Sequence, residues 1–414
     1  MENRFYLGID IDDENAVISY YELNMKEPQT LSTVAGSEVF QIPVLLAKKK
    51  GIGQWFIGED AKHLAMQQGE EGQAKLLSRA IGGEKVFVED EKYAVSDLLL
   101  LYLKKLMLLA GSLGKPQKPD KLVICLEKLS REVTELFASI AADLGLENEQ
   151  LVLLDRRECF YYFVYHQNKE LTVHDVCLFD YRKEDIWCCR LSRKQNTTPQ
   201  LITLTEEVRR MDATGRDETF LRVLSDCFKG NIVSTSYLIG DGFDGNWMKQ
   251  SVAFLCKGRR AFVGKNLYSK GACYAAAVLD GQQEWNYVYL GDNEMKVNVC
   301  LKVYNRGTTE FLTLISAGDN WYDTVGECEV ILDGSPEIDF WLQPPNSKAA
   351  RIEKLEISDL PKRPPRTTRL RITAKPLSDL RVQIVIRDLG FGEFFKSSDK
   401  VWEYMMEFGE GSEV

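Results

Sequence analysis

The stretch Leu7 to Tyr20, LGIDIDDENAVISY, decides how the rest of the chain is read. Its first residues form a strand that stops at a polar run, Asp10, Asp12, Asp13, Glu14 and Asn15, and Ala16, Val17 and Ile18 restart an apolar strand. Such a hairpin fits one edge of a sheet. It equally fits a phosphate-binding hairpin, in which turn N–H groups cradle phosphate oxygens and a carboxylate at the strand end holds a metal ion's water shell.

The pattern returns further on. Val173 to Asp180 and Asp185 to Leu191 read as strands around the charged turn Asp180, Tyr181, Arg182, Lys183, Glu184. Between the two hairpins, strands are predicted at Phe40 to Ala47, Gln54 to Ile57, Leu122 to Leu126 and Leu151 to Leu154, and helices from Gly58 through Met66 and over Leu98 to Ala110. Ser130 can cap a helix whose apolar residues Val133, Phe137, Ile140 and Leu144 recur at helical spacing up to a stop at Gly145. An aromatic-rich helix follows over Cys159 to Tyr165. Two echoed halves predict an internally duplicated α/β domain with a cleft between them. Past Thr205 the pattern turns helical, with Phe220, Val223, Leu224 and Phe228 on one side. Ser236 to Ile239 then delivers the turn Gly240, Asp241, Gly242, and helices are expected from about Asn246 and over Ser269 to Leu279, where small residues permit close packing.

The length of 414 residues and the 44% hydrophobic content allow two domains with real cores. A net charge of -10 argues against a general binder of nucleic acid or membrane surfaces. None of the ten cysteines forms a CxxC pair, and the three histidines, His63, His166 and His174, lie at no metal-ligand spacing, so a structural zinc is not expected and free thiols in a cytosolic protein are. Glu2, Asn3 and Arg4 lead directly into a strand, so no signal peptide is expected. Leu98 to Ala110 is too short to span a bilayer.

From Trp285 the period becomes two: Met295, Val297, Val299, Leu301 and Val303 alternate with polar neighbours. Six further strands are predicted between Glu310 and Arg387, a β-sandwich pattern. The basic run Lys362, Arg363, Arg366, Arg369, Arg371 reads as a solvated strand face or as a surface for an acidic partner.

The order of these segments resembles the actin and heat-shock chaperone superfamily, and most of all the DnaK-type chaperones. LGIDIDDEN matches the frame of the first phosphate loop; IPVLL from Ile42, GEDAK from Gly58 and RAIGG from Arg79 match the segments after it. KLVICLEKLSREVTELFASIAADLGL is similar to the strand, helix and strand before the second loop, and YLIGDGFDGNWMKQSVAFL with KNLYSKGACYAAAV to the adenosine loop and its helices. The stretch from Lys354 to Glu393 is similar to the end of the chaperone substrate-binding β-domain. The resemblance implies an actin-like, ribonuclease H-like duplicated domain over residues 1–282 and an all-β sandwich over 283–414. It implies ATP or ADP with Mg as cofactor, held by Gly8, Asp10, Asp12 and Asp13, by Asp180 and Arg182, and by Gly240, Asp241 and Gly242, with Asp10 and Asp180 at the metal positions. It also implies a protein or peptide partner for the β-domain; the net charge already argues for neither nucleic acid nor membrane.

The departures bear on chemistry. Asp12, Asp13 and Glu14 replace the family's small and hydroxyl residues. A carboxylate about 5 Å from a phosphate charge repels it by on the order of 3 kcal/mol at an effective dielectric of about 20. The family's catalytic lysine falls on Ser78, and its carboxylate-bearing Asn-Glu-Pro stretch on Arg156, Arg157 and Glu158, so no catalytic residue is expected. The adenine-covering lobe has only residues 192 to 235 to draw on, and the helical lid is missing. The acidic first loop and the basic second loop, Arg182 and Lys183, either pair across the cleft or stand as solvated turns; under pairing, charge reversal of Asp12 and Asp13 is compensated by reversal of Arg182 and Lys183. The expected function is a chaperone-like or regulatory binding protein with a degenerate ATPase domain. The alternatives are an Mg-dependent ATPase with altered loops and a structural module without nucleotide.

Overall fold

β1 (Phe5–Ile11) pairs antiparallel with β2 (Asn15–Glu22), and β2 with β3 (Gln29–Thr30). On its other side β1 runs parallel to β4 (Lys121–Leu126), which runs parallel to β5 (Leu151–Asp155). The opening strand is therefore interior to a sheet of order β5-β4-β1-β2-β3 rather than at its edge, and its apolar residues are buried on both faces. A computed structural model describes residues 4–32, 38–111, 118–147, 149–212, 214–345 and 349–408; Glu2 and Asn3, expected to lead into β1, lie outside the described residues.

A second sheet repeats the plan. β6 (Asp175–Arg182) pairs antiparallel with β7 (Asp185–Lys194), next to β8 (Gln200–Arg210), while β9 (Val233–Ile239) and β10 (Arg260–Val263) extend it in parallel on the β6 side, giving β10-β9-β6-β7-β8. Each half is thus a three-strand meander followed by two parallel crossovers.

The helices are α1 (Gly58–Gln68), α2 (Leu76–Ile81), α3 (Val95–Gly111), α4 (Arg131–Asp143), α5 (Arg156–Tyr165), α6 (Arg216–Phe228), α7 (Lys249–Leu255) and α8 (Leu267–Leu279). The Ser130 Oγ accepts from the Val133 N–H at 3.3 Å and the Asp155 carboxylate from the Glu158 N–H at 2.8 Å, so α4 and α5 start where their side-chain caps fall. α8 lies against β1 and α5. A Cβ on Gly8 would meet the Ser269 carbonyl at 2.3 Å, and one on Gly271 the Cys159 carbonyl at 2.0 Å. Gly8 therefore lets α8 pack directly on the strand.

Several boundaries differ from the expected ones. Val44, whose N–H donates to the Glu14 carbonyl at 2.9 Å, separates Ile42–Pro43 from Leu45–Lys48. The residues after Thr205 stay extended to Arg210, tied to the β6–β7 turn by the Met211 N–H to Glu184 carbonyl bond at 2.6 Å; α6 begins only at Arg216, and α7 at Lys249.

The chain divides into two compact units, Met1–Ser192 with Leu204–Trp285, and Arg193–Thr203 with Asn286–Val414. In the second, Gln200–Ile202 pairs in parallel with Tyr287–Tyr289. Its body is two antiparallel sheets. One has the order β12-β11-β14-β15, from β11 (Asn298–Asn305), β12 (Thr308–Ile315), β14 (Glu337–Gln343) and β15 (Arg351–Glu356). The other has the order β13-β16-β17-β18, from β13 (Gly326–Ile331), β16 (Arg369–Ser378), β17 (Arg381–Gly390) and β18 (Val401–Glu407). Alternate residues of both sheets, among them Val299, Leu301, Phe340, Ile372, Ile384 and Met406, share one core. Met295 and Val297 precede the first strand instead of opening it.

The four arginines of this unit's basic run, Arg363, Arg366, Arg369 and Arg371, are each paired with a carboxylate. Arg363 makes two bonds of 2.7 Å to the buried Asp388, Arg366 pairs with Asp333, and Arg369 and Arg371 pair with Glu329. Among the described residues no helix is long and apolar enough to cross a membrane.

Candidate functional site

β1 and β6 each deliver an aspartate at the end of a buried strand, Asp10 and Asp180, and the turns that follow converge on one cavity of about 430 Å³. The first turn is built by Asp12, whose Oδ1 accepts from the N–H groups of Glu14 at 2.9 Å and Asn15 at 2.8 Å. Asp13 points away and accepts from the Ser78 N–H at 2.9 Å, at the start of α2. In the second turn Lys183 adopts a positive φ of 56°.

Arg156, the first residue of α5, is the hub. Its Nε donates to Asp10 Oδ1 at 3.0 Å, a terminal nitrogen donates to Asp12 Oδ2 at 2.9 Å, and its guanidinium carbon lies 5.4 Å from the Tyr268 ring centre. Arg182 makes a fork to Asp180 at 2.9 and 2.7 Å and approaches Asp12 at 3.7 Å, and the Tyr268 hydroxyl completes Asp180 at 3.0 Å. Lys183 reaches Glu14 at 3.2 Å at the exposed rim. The result is a continuous chain, Asp10–Arg156–Asp12–Arg182–Asp180–Tyr268, across the two hairpins.

Burial sets the electrostatics. It raises the Asp10 carboxyl above its ordinary value despite Arg156. Burial would also raise Asp12, but the Asn15 N–H, Arg156 and the Glu14 N–H outweigh it and hold this carboxyl low. Tyr268 is pushed well up by burial and by the Asp180 charge, so it is a neutral donor.

The glycine turn serves a different purpose from the expected one. A Cβ on Gly242 would lie 2.3 Å from the Tyr181 ring, and the Gly242 carbonyl accepts from Arg216 at 2.5 Å and from the Trp247 indole at 3.2 Å. Arg216 itself is stacked between Tyr181 and Trp247, at 5.3 and 4.6 Å. The space beside Gly242 is thus filled by the protein's own aromatic rings. Gly240 and Asp241 do line the cavity, with Gly240 at a φ of 97° close to the Tyr181 carbonyl.

The donor set does not fit a metal-bound triphosphate. Both carboxylates expected at metal positions, Asp10 and Asp180, are engaged by guanidinium groups, and among the described residues no group of three or more His, Cys, Asp or Glu side chains is arranged to hold a metal ion. The lining holds seven carboxylates against four cations. Each cation already faces a carboxylate: Arg156, Arg182 and Lys183 as above, and Lys265 with Asp241 and Asp244 at 3.3 and 2.8 Å.

The sequence singled out Asp10, Asp12, Asp180, Arg182, Gly240 and Asp241, which this site brings together; Asp13 lines the same cavity while bonding to α2. It missed Arg156 and Tyr268 as site residues. Arg156 carried a signal: a basic residue in the first turn of a helix opposes the helix dipole and calls for a carboxylate partner.

A duplicated α/β unit whose two hairpin turns are joined by buried ion pairs, followed by a two-sheet β unit, is the class that fold and site define. The chain belongs to the family of unknown function described as DUF5716, C-terminal, whose model matches residues 27–292. Residues 294–408 match a second domain of unknown function, DUF8552. No curated protein matches the chain.

Proposed function

We propose that this protein is a non-hydrolysing binding protein built on an actin- and DnaK-like plan, in which arginines of the chain itself take the place of nucleotide and metal. The observation that carries this reading is the chain of ion pairs from Asp10 through Arg156, Asp12 and Arg182 to Asp180. In an ATPase of this plan the two loops are joined by the phosphates and their cation. Here the guanidinium groups join them permanently, so the cleft is held without a ligand that turns over. The duplicated strand order of the first unit and the shared core of the second unit's two sheets support the resemblance at the level of architecture. The work of such a protein falls to its surfaces, and a protein or peptide partner of the β unit is the corresponding role, chaperone-like or regulatory.

Isothermal titration of the full chain with ATP and Mg²⁺, followed by phosphate-release measurement, tests the reading. The expected result is no saturable heat at millimolar nucleotide and no phosphate above the buffer control. Micromolar binding with turnover would overturn it in favour of an Mg-dependent ATPase.

A further inference from the structure

β12 is the outermost strand of its sheet, and among the described residues it pairs with β11 alone. Which of its backbone groups are left over follows from the turn before it. Asn305 stands opposite Thr308 across a turn of Arg306 and Gly307, whose φ values are 50° and 92°. Positive φ at both central residues makes this a hairpin turn of type I′, and the pair that flanks such a turn exchanges both N–H to C=O bonds. The backbone groups of Thr308, Glu310 and Leu312 therefore face β11, and those of Thr309, Phe311 and Thr313 face away from it. The side chains of Thr309, Phe311 and Thr313 share the outer face of the sheet with Tyr304, Lys302 and Cys300, which stand opposite them. All residues from Thr308 to Thr313 are exposed, and Phe311 is 55% exposed although its ring lies 5.1 Å from that of Trp341 on β14. Beyond Thr313 the register shifts and β12 meets β13, where a Cβ on Gly326 would lie 2.2 Å from the Leu314 carbonyl. The free edge ends there.

An open edge pairs with an extended chain unless something repels it. β12 contains no lysine or proline, and its one charged residue, Glu310, is engaged by the Asn305 amide at 2.6 Å. β15, at the other edge of the same sheet, carries Arg351, Glu353, Lys354 and Glu356. That side of the unit is also bridged to β18, whose Trp402 indole and Tyr404 hydroxyl donate to the Ser358 and Glu356 carbonyls at 2.7 and 2.6 Å.

We propose that β12 is a dimerisation edge, which pairs antiparallel with the β12 of a second copy of this chain about a two-fold axis at Phe311. The strand's own pattern selects this occupant. A two-fold axis matches residues equally far on either side of it. With the axis at Phe311, Thr309 meets the partner's Thr313 and Phe311 meets its own counterpart, so each free N–H and C=O of the edge finds its complement. The two phenylalanines extend the aromatic row that Trp341 begins, and the threonines can exchange hydrogen bonds across the strands. Glu310 meets the partner's Leu312 and not a second glutamate. An axis at Glu310 would set that residue against its own copy, and one at Leu312 would run the pairing into the closed end at Leu314. β15 offers no equivalent, since an axis at either of its central residues, Glu353 or Lys354, opposes like charges.

Size-exclusion chromatography with light scattering, on the full chain over a range of micromolar concentrations, is the test. The expected mass is twice that of the chain at the upper end, falling toward the monomer on dilution. Phe311→Pro removes an N–H that β11 does not use, and is expected to weaken association about tenfold or more with the circular dichroism spectrum unchanged. Two double variants on the exposed face decide the matter should the proline variant fail to fold. Thr309→Lys with Thr313→Lys opposes like charges in both outer pairs and gives a monomer, whereas Thr309→Lys with Thr313→Glu opposes unlike charges and keeps the dimer. A monomer at every concentration overturns the proposal. So does a dimer that a folded Phe311→Pro variant or the double lysine variant leaves intact, or that both double variants break alike. All of this is read without nucleotide, so it stands apart from the test of the cleft.

Discussion

A guanidinium on the first turn of a helix works against the helix dipole, so the place of Arg156 is explained only by what it meets there, the carboxylates of Asp10 and Asp12. Removing one partner of a buried pair costs far more than the pair contributes, because it leaves a charge uncompensated. Arg156→Met is therefore expected to lower the unfolding free energy by about 3 to 5 kcal/mol, read from urea denaturation. The pH dependence has a definite sign. Burial already raises Asp10, and losing Arg156 raises it further. A raised carboxyl contributes stability below its unfolded value that is lost as pH rises through its folded value, so the deficit of Arg156→Met widens from pH 4 toward neutrality. Asp388 in the β unit behaves oppositely. Burial would raise it, but the Arg363 fork, the Ser398 hydroxyl and the N–H groups of Gly390 and Ser398 hold it strongly down. Its contribution is present above the unfolded value of about 3.9 and lost only as pH falls through the depressed value. Asp388→Asn is expected to cost about 3 to 5 kcal/mol at neutral pH and much less in acid, as denaturation at a series of pH values will show.

At the scale of elements, α5 and α8 touch backbone to backbone at Gly271, where a Cβ would sit 2.0 Å from the Cys159 carbonyl. Neither partner is a flexible side chain, so Gly271→Ala must part the two helices, at a cost of about 1 to 3 kcal/mol or more. Gly145 is the comparison: its φ of 68° favours glycine, but a Cβ there meets nothing within 4 Å. Gly145→Ala is expected to cost only about 1 kcal/mol, and equal losses in thermal denaturation would show that the helix contact is soft. Much of this architecture was legible in the sequence. The two hairpins, the cap at Ser130 and the period of the β unit follow from local chemistry that the residues carry themselves, although the strands run on past Asp10 to Ile11 and past Asp180 to Arg182. The tail of β8 was not legible. Glu206 to Arg210 has a composition as suited to a helix as to a strand, and only the long-range tie to Glu184 decides it. The glycines misled for a related reason. Gly8 and Gly242 looked like openings for a ligand, yet what needs the missing Cβ is another part of the chain, α8 in one case and Tyr181 in the other. Sequence shows that space is needed at a glycine, not what fills it.

For the whole molecule, the proposed loss of nucleotide binding can rest on three loop acids or on a network, and the two make different predictions. Charge reversal cannot be compensated in the simple way the two loops suggest. Asp12 is bonded to two N–H groups of its own turn and to Arg156 and lies 3.7 Å from Arg182, and Asp13 bonds to the Ser78 N–H, so reversing Arg182 and Lys183 offers position 12 one of its contacts and position 13 none. The rim pair Glu14 and Lys183 can exchange charges outright, and an exposed pair contributes at most about 1 kcal/mol. The same reasoning fixes the outcome of the opposite experiment. If the acids alone excluded phosphate, replacing Asp12, Asp13 and Glu14 with Gly, Thr and Thr would restore a phosphate loop. That variant still has Arg156 on Asp10, Arg182 on Asp180 and Tyr181 beside Gly242, and it has lost the carboxylate that bridges the two arginines. The expected result is a protein with a lower thermal midpoint that millimolar ATP and Mg²⁺ do not raise. A ligand present at 100 times its dissociation constant would stabilise the fold by about 2.7 kcal/mol, a rise in midpoint that thermal scans resolve. Seeing that rise in the triple variant and not in the parent would place the whole block in the three loop acids; its absence places it in the arginines that tie the two halves of the cleft together.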